Sequence, residues 1–213
     1  MTYDFLYKII VLGSQYNGKT SIIDRVVRDK FHTTYQNTIG IDFSSTTREV
    51  SEIDKTIKFH LWDTAGGKEW AAVTNVYYKN VGVAIIVLDC TCENAFKDGM
   101  EWLKLWHMKK SHDCETKPIM ITTKIDLVND RKYDEEQGRE FAEKAGCIYF
   151  EVSALTGANT KYLLEKIAKH IWDSNGCSPS TGIEKNMYLD LRESERRFRN
   201  GNYTRYLDCC AMQ

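Results

Sequence analysis

The chain has 213 residues, 42% of them hydrophobic, and a formal net charge of -1. That is enough apolar material for one α/β domain with a tail, and too little basic excess for a dedicated nucleic-acid binder, so nucleic acid is excluded as an expected partner. The seven cysteines are an odd number, and Met1 to Phe5 show neither a basic start nor an apolar leader, so a reducing cytosol is expected and a disulfide framework is not.

No run reaches the roughly 20 apolar residues of a membrane span, and Thr2 in place of glycine excludes N-myristoylation. Cys90 and Cys92 lack a second Cys or His pair at zinc-ligand spacing.

In chain order, an apolar run from Tyr7 to Leu12 predicts a strand that feeds directly into Gly13-Ser14-Gln15-Tyr16-Asn17-Gly18-Lys19-Thr20. This octet is a complete phosphate-binding loop. Its glycines let backbone N–H groups curl toward polyphosphate oxygens, Lys19 supplies a point charge and Thr20 a hydroxyl for magnesium. Ser21 to Val27 has helical spacing, which would place the phosphates at a helix N-terminus.

After a polar stretch from Lys30 to Asn37, Ile41 to Val50 and Thr56 to Trp62 read as an antiparallel hairpin joined through Ser51 to Lys55. Val81 to Leu88, Pro118 to Thr122 and Cys147 to Val152 are short apolar runs of the kind found in strands covered on both faces. They alternate with helical patterns at Ala95 to Ser111, Asp134 to Ala145 and Asn159 to Asp173; the last carries Leu163, Leu164, Ile167, Ala168 and Ile171 on one stripe.

The alternation predicts an α/β fold: a mixed, mostly parallel six-stranded sheet with helices on both faces, and ligand bound at the strand C-terminal ends. Residues 174–213 have little apolar content and no period, and read as a flexible tail after a domain spanning 1–173.

Three further motifs fall at strand ends. Asp63-Thr64-Ala65-Gly66 puts an acid where a P-loop protein holds magnesium through water. Thr123-Lys124-Ile125-Asp126 and Ser153-Ala154-Leu155 together describe a guanine pocket. A carboxylate such as Asp126 accepts from the ring N–H and exocyclic amine of guanine at once, adenine offers no matching pair, and a buried site built this way discriminates strongly. The alkyl chain of Lys124 can cover the base and the Ala154 N–H can meet its carbonyl.

In this order the motifs resemble those of the Ras-superfamily small GTPases with their P-loop GTPase fold, and most closely the Rab branch, over residues 5 to 173. The resemblance implies that GTP or GDP is bound with Mg²⁺. It assigns the nucleotide to Gly13 through Ser21, to Phe31 and Tyr35, and to Thr123, Lys124, Asp126, Ser153, Ala154 and Leu155. Thr20 and Thr38 would coordinate the metal, with Asp63 acting through water, and Gly66 would donate to the terminal phosphate. Rab character rests on Thr38-Ile39-Gly40-Ile41-Asp42-Phe43 and Tyr77-Tyr78-Lys79, with Ile41, Phe43, Trp62 and Tyr77 as the surface facing effectors.

The family setting further implies an exchange factor, an activating protein, a GDP-dissociation inhibitor and effectors, with a monomeric domain working in vesicle traffic. The protein would divide between the cytosolic face of intracellular membranes and a cytosolic pool. Cys209-Cys210 near the terminus resembles a double-cysteine prenylation motif, and two lipids would anchor stably where one would not. A single farnesyl group on Cys210 fits the same residues. Arg196, Arg197, Arg199 and Arg205 add some attraction for anionic headgroups, diluted by Glu193, Glu195 and Asp208.

Several positions depart from the family pattern. Gly67 stands where the family has the glutamine that orients the attacking water, and Lys68-Glu69-Trp70 also differs. Gln15 and Tyr16 put bulk into P-loop positions that are small in many relatives. Thr123 replaces the usual asparagine, Leu155 a lysine, and Asn80-Val81 a Gly-Ala pair. Weak intrinsic hydrolysis and a long-lived GTP state are expected, with Lys19, Thr38 and Gly66 as the remaining catalytic groups; the counter-reading is that the Gln15 carboxamide takes over part of the missing glutamine's role, positioning water from the other side. The alternative is a nearly hydrolysis-dead, GTP-loaded membrane scaffold controlled by exchange or extraction. An ATP-dependent P-loop kinase is disfavoured by Thr123 to Asp126.

Overall fold

The computed structural model describes residues 3–34, 37–67, 75–110 and 116–174, and the structural statements below concern these. Tyr35, Lys68 to Trp70, and the tail with Cys209 and Cys210 lie outside them.

Six strands form one sheet in the order β2-β3-β1-β4-β5-β6. They are β1 (Phe5–Leu12), β2 (Ile41–Val50), β3 (Lys55–Thr64), β4 (Val83–Asp89), β5 (Ile119–Thr123) and β6 (Ile148–Glu151). Only the β2–β3 pairing is antiparallel. The central strands β4 and β5 are buried along their whole length, as their unbroken apolar runs require. β2 is an edge strand, with only Ser44 and Val50 buried.

Among the described residues four α-helices pack on this sheet: α1 (Lys19–Arg28), α2 (Ala95–Lys109), α3 (Glu135–Lys144) and α4 (Leu163–Ser174). Ile22, Ile23 and Val26 of α1 and the predicted stripe of α4 share one core with Ile9, Val11, Phe59, Leu61 and Ile85 of the sheet. On the other face α2 buries Ala95, Gly99, Trp102, Leu103 and Trp106. A Cβ at Gly99 would stand 2.6 Å from a Leu88 methyl, so the glycine sets how closely α2 lies on β4. α3 begins with a capping box in which the Gln137 N–H donates to the Asp134 carboxylate at 2.8 Å and the Asp134 N–H to the Gln137 side chain at 2.9 Å.

The predicted boundaries shift where local geometry overrides the apolar pattern. α4 starts at Leu163 and not at Asn159, because Gly157 and Asn159 have φ of 78° and 60° and Thr160 Oγ1 donates back to the Gly157 carbonyl at 2.7 Å, making a turn. β1 begins earlier than expected, at Phe5, whose ring packs edge-on with Trp172 of α4.

His60 lies in β3 directly across from Lys8 and is 1% exposed, packed at right angles to Phe43 with ring centroids 4.9 Å apart. Burial, then Lys58 and Lys8, push its pKa from 6.5 down to about 4. Between these values the unfolded chain takes up a proton that the folded chain refuses. The contribution is therefore complete above pH 6.5 and is lost as the pH falls toward 4. Replacing His60 by leucine removes this titration. Urea unfolding at pH 7 and pH 4.5 should show the wild type losing about 3 kcal/mol relative to the variant; a pH-independent difference would contradict the assignment.

Candidate functional site

The parallel strands bring their C-terminal ends to one edge, where the first cluster forms around the loop after β1. Gly13 has φ 149°, and a Cβ there would lie 2.7 Å from the Val87 carbonyl, so β1 passes flush against β4 only as glycine. Gly18, with φ 82°, turns the chain into α1 and leaves the first N–H groups of that helix facing the loop, Ser21 included. Asn17 is buried and its side-chain amide donates to the Val87 carbonyl at 2.7 Å. Lys19 is buried and spans the loop, its Nζ donating to the Ser14 carbonyl at 2.9 Å. Ser14 Oγ in turn accepts from Trp102 Nε1 on α2 at 3.2 Å.

Three oxygens from three elements converge beside Lys19. Thr20 Oγ1 donates to Asp63 Oδ2 at 2.5 Å, and Thr38 Oγ1 stands 3.0 Å from Thr20 Oγ1 and 3.5 Å from Asp63 Oδ2. Asp63 Oδ1 is buried without a hydrogen-bond partner. Desolvation pushes the Asp63 carboxyl up to about 6, opposed by the Thr20 hydrogen bond and Lys19. It pushes Lys19 down to about 8, opposed by Asp63. A set of hard oxygens with an orphaned carboxylate oxygen fits Mg²⁺, and a buried ammonium next to it fits an anion.

The second cluster lies at the end of β5. Thr123 Oγ1 is 2.8 Å from the Asn17 carbonyl and 3.1 Å from that of Leu88, tying the base-side loop to the P-loop. Ser153 Oγ donates to Asp126 Oδ1 at 2.5 Å, which fixes one carboxylate oxygen. Arg25 of α1 reaches the carbonyls of Ala154 (2.7 Å) and Leu155 (3.1 Å), holding that loop in place. Leu155 is exposed, and Phe31 is half-buried against the edge of the core.

A third group joins Phe43, Trp62 and Tyr77. The ring centroids of Phe43 and Trp62, and of Trp62 and Tyr77, are each 5.1 Å apart. Trp62 is only 3% exposed, so it packs beneath this surface, while Phe43, Tyr77 and Ile41 are half-buried and Ile39 is fully presented.

Gly66 lies against the P-loop: a Cβ there would stand 2.6 Å from the Ser14 carbonyl carbon. Gly67 follows it and is buried. Gln15 is exposed, and Tyr16 is 60% exposed with φ 66°, a left-handed conformation that is costly for a bulky residue. No sequence motif announces Arg25 or the side-chain role of Asn17, whose partners lie far off in the chain; for Asp89 the available signal is an acid at the end of a parallel strand, as at Asp63.

The Ras family model matches residues 8–173. The chain belongs to the Ras family. Ras-related protein Rab-13 of Mesocricetus auratus is 32% identical over 198 residues, covering 93% of this chain and 96% of that protein. Ras-related protein RABA2b of Arabidopsis thaliana is 34% identical over 170 residues (80% and 78%), and Rab-11A of Dictyostelium discoideum 30% over 189 residues (86% and 86%). The chain is thus a divergent small GTPase of the Rab branch, which binds GTP or GDP with Mg²⁺ and hydrolyses GTP.

For this small GTPase, an Asp63→Asn variant should lose most of the ability of Mg²⁺ to retain nucleotide. In stopped-flow release of a fluorescent GDP analogue, the variant in excess Mg²⁺ should approach the rate that EDTA produces in the wild type. Unchanged Mg²⁺ dependence would remove Asp63 from the metal site.

Proposed function

We propose that this Rab-branch switch of vesicle traffic hydrolyses GTP slowly and so persists in its GTP state. The observation that carries the reading is the pairing of a full binding cluster, Lys19 with Thr20, Thr38 and Asp63, with Gly67 as the residue that follows Gly66. Glycine has no side chain with which to orient a water. Lys19 would hold positive charge against the phosphates, Gly66 would offer its N–H to the terminal phosphate, and the P-loop amides would supply further donors. Thr20 and Thr38, with Asp63 through water, would hold Mg²⁺, which neutralises charge developing on phosphate oxygens.

Tyr35 would close over the phosphates. Asp126, Lys124, Thr123 and the Ser153-Ala154-Leu155 loop would hold guanine, with Phe31 against it. The ordered surface of Ile41, Phe43 and Tyr77, backed by Trp62, would recruit effectors in the GTP state. An exchange factor, an activating protein and a GDP-dissociation inhibitor would set its cycle. Residues 1–173 would act as a monomeric domain and 174–213 as its tether, prenylated at Cys209 and Cys210. This would place the protein on the cytosolic face of intracellular membranes, with a cytosolic pool. No helix among the described residues is long and apolar enough to cross a membrane.

Single-turnover hydrolysis of GTP by the purified protein tests the proposal. Gly67→Gln should raise the rate about tenfold, and an unchanged rate would mean that the missing glutamine is not what limits hydrolysis. If Gln15 orients water from the P-loop side, Gln15→Gly should slow the wild-type rate further. A wild-type rate indistinguishable from zero, with and without cell extract, would favour the GTP-loaded scaffold over the slow switch.

A further inference from the structure

The turn after β4 holds the base-side loop at two points. Asp89, the last residue of β4, is 6% exposed. Its Oδ2 accepts from Lys124 Nζ at 2.6 Å. Its Oδ1 accepts from both the N–H and the hydroxyl of Thr91, at 2.9 and 2.8 Å. The next residue, Cys90, is fully buried and donates from Sγ to the Lys124 carbonyl at 3.2 Å. Lys124 itself has φ 60°, a conformation that a non-glycine residue keeps only where its surroundings over-determine it.

We infer that Asp89 is a positioning residue for Lys124 and that, with Thr91 and Cys90, it governs how long guanine nucleotide stays bound. The inference rests on the proposed reading of Lys124 as the residue whose alkyl chain covers the base. A free lysine side chain has several rotatable bonds and strong hydration. Anchoring its ammonium to a carboxylate that is itself fixed by two hydrogen bonds leaves the intervening methylenes little freedom before nucleotide arrives. Ordering of that kind, completed in advance, is not a cost of binding. The Cys90 contact does the same for the backbone, so side chain and carbonyl of one residue are set by one turn of β4. The pair is one-third exposed on the lysine side and nearly enclosed on the aspartate side. Loss of the carboxylate charge therefore acts on Lys124 first and leaves the strand pairing of β4 intact.

The test is a double-mutant cycle read by release of a fluorescent GDP analogue from the full chain. Lys124→Ala should speed release, and Asp89→Asn should speed it about tenfold, as loss of a charged hydrogen bond gives. The double variant should release no faster than Lys124→Ala alone, because Asp89 acts through Lys124. Wild-type release from Lys124→Ala would overturn the base-covering reading and the inference with it. Fast release from Lys124→Ala combined with wild-type release from Asp89→Asn, or with additive effects in the double variant, would overturn the inference and leave that reading standing. If Asp89→Asn does not fold, Thr91→Ala takes its place: it removes one of the two hydrogen bonds on Oδ1, and should speed release in the wild-type background and not in Lys124→Ala.

Discussion

Two buried opposite charges organise this molecule. Lys19 and Asp63 are both almost wholly withdrawn from water at the strand-end edge, and each is shifted by desolvation toward its neutral form. Taking an ammonium and a carboxylate out of water costs several kcal/mol each unless other charges complete the site. Here Lys19 is held by a single carbonyl and Asp63 has one oxygen with no partner. The fold therefore carries an electrostatic deficit that an anion beside Lys19 and a cation beside Asp63 would remove. Anything that binds the folded state and not the unfolded one stabilises the former by mass action, so in a small GTPase of this form nucleotide is part of the structural balance as well as the substrate.

The edge that bears this deficit is held in register by side-chain hydrogen bonds to backbone carbonyls. Asn17 fastens the P-loop to β4, Thr123 fastens it to the base-side loop, and Arg25 fastens α1 to the loop after β6. None of these contacts touches a neighbour in sequence. Those of Asn17 and Thr123 join the ends of different strands and that of Arg25 ties α1 to the loop after β6, which couples the phosphate side to the base side. The single hydroxyl of Thr123 lies within reach of two backbone carbonyls, of Asn17 and Leu88, and keeps both loops tied.

What the sequence made legible follows the same division. β4 and β5 were readable because strands covered on both faces need continuous apolar runs, and α4 because Leu163, Leu164, Ile167, Ala168 and Ile171 fall on one apolar stripe. The P-loop, Asp63 and Asp126 were readable because their chemistry is carried by residues close together in the chain. The start of α4 was not, since positive φ at Gly157 and Asn159 makes a turn ahead of the apolar stripe that runs from Leu163 to Ile171. Nor was the burial of Trp62, which depends on Phe43 and Tyr77 arriving from other elements. The Asp89–Lys124 pair joins residues 35 apart, and no period or motif in a single chain announces such a pairing.

On the proposed reading, binding and cleavage draw on different parts of the architecture, so that one can diverge without the other. Lys19, Asp63, Asn17 and Thr123 are buried, and changing any of them leaves a charge or a backbone carbonyl unsatisfied within the sheet edge. Gln15 and Tyr16 are exposed, and Gly67 contributes only backbone. Tyr16 bears the strain of its left-handed backbone. Such strain persists only where surrounding structure holds it. On the proposed reading, the P-loop retained the constraints that the folded state enforces and varied at the positions where only the rate of hydrolysis is at stake.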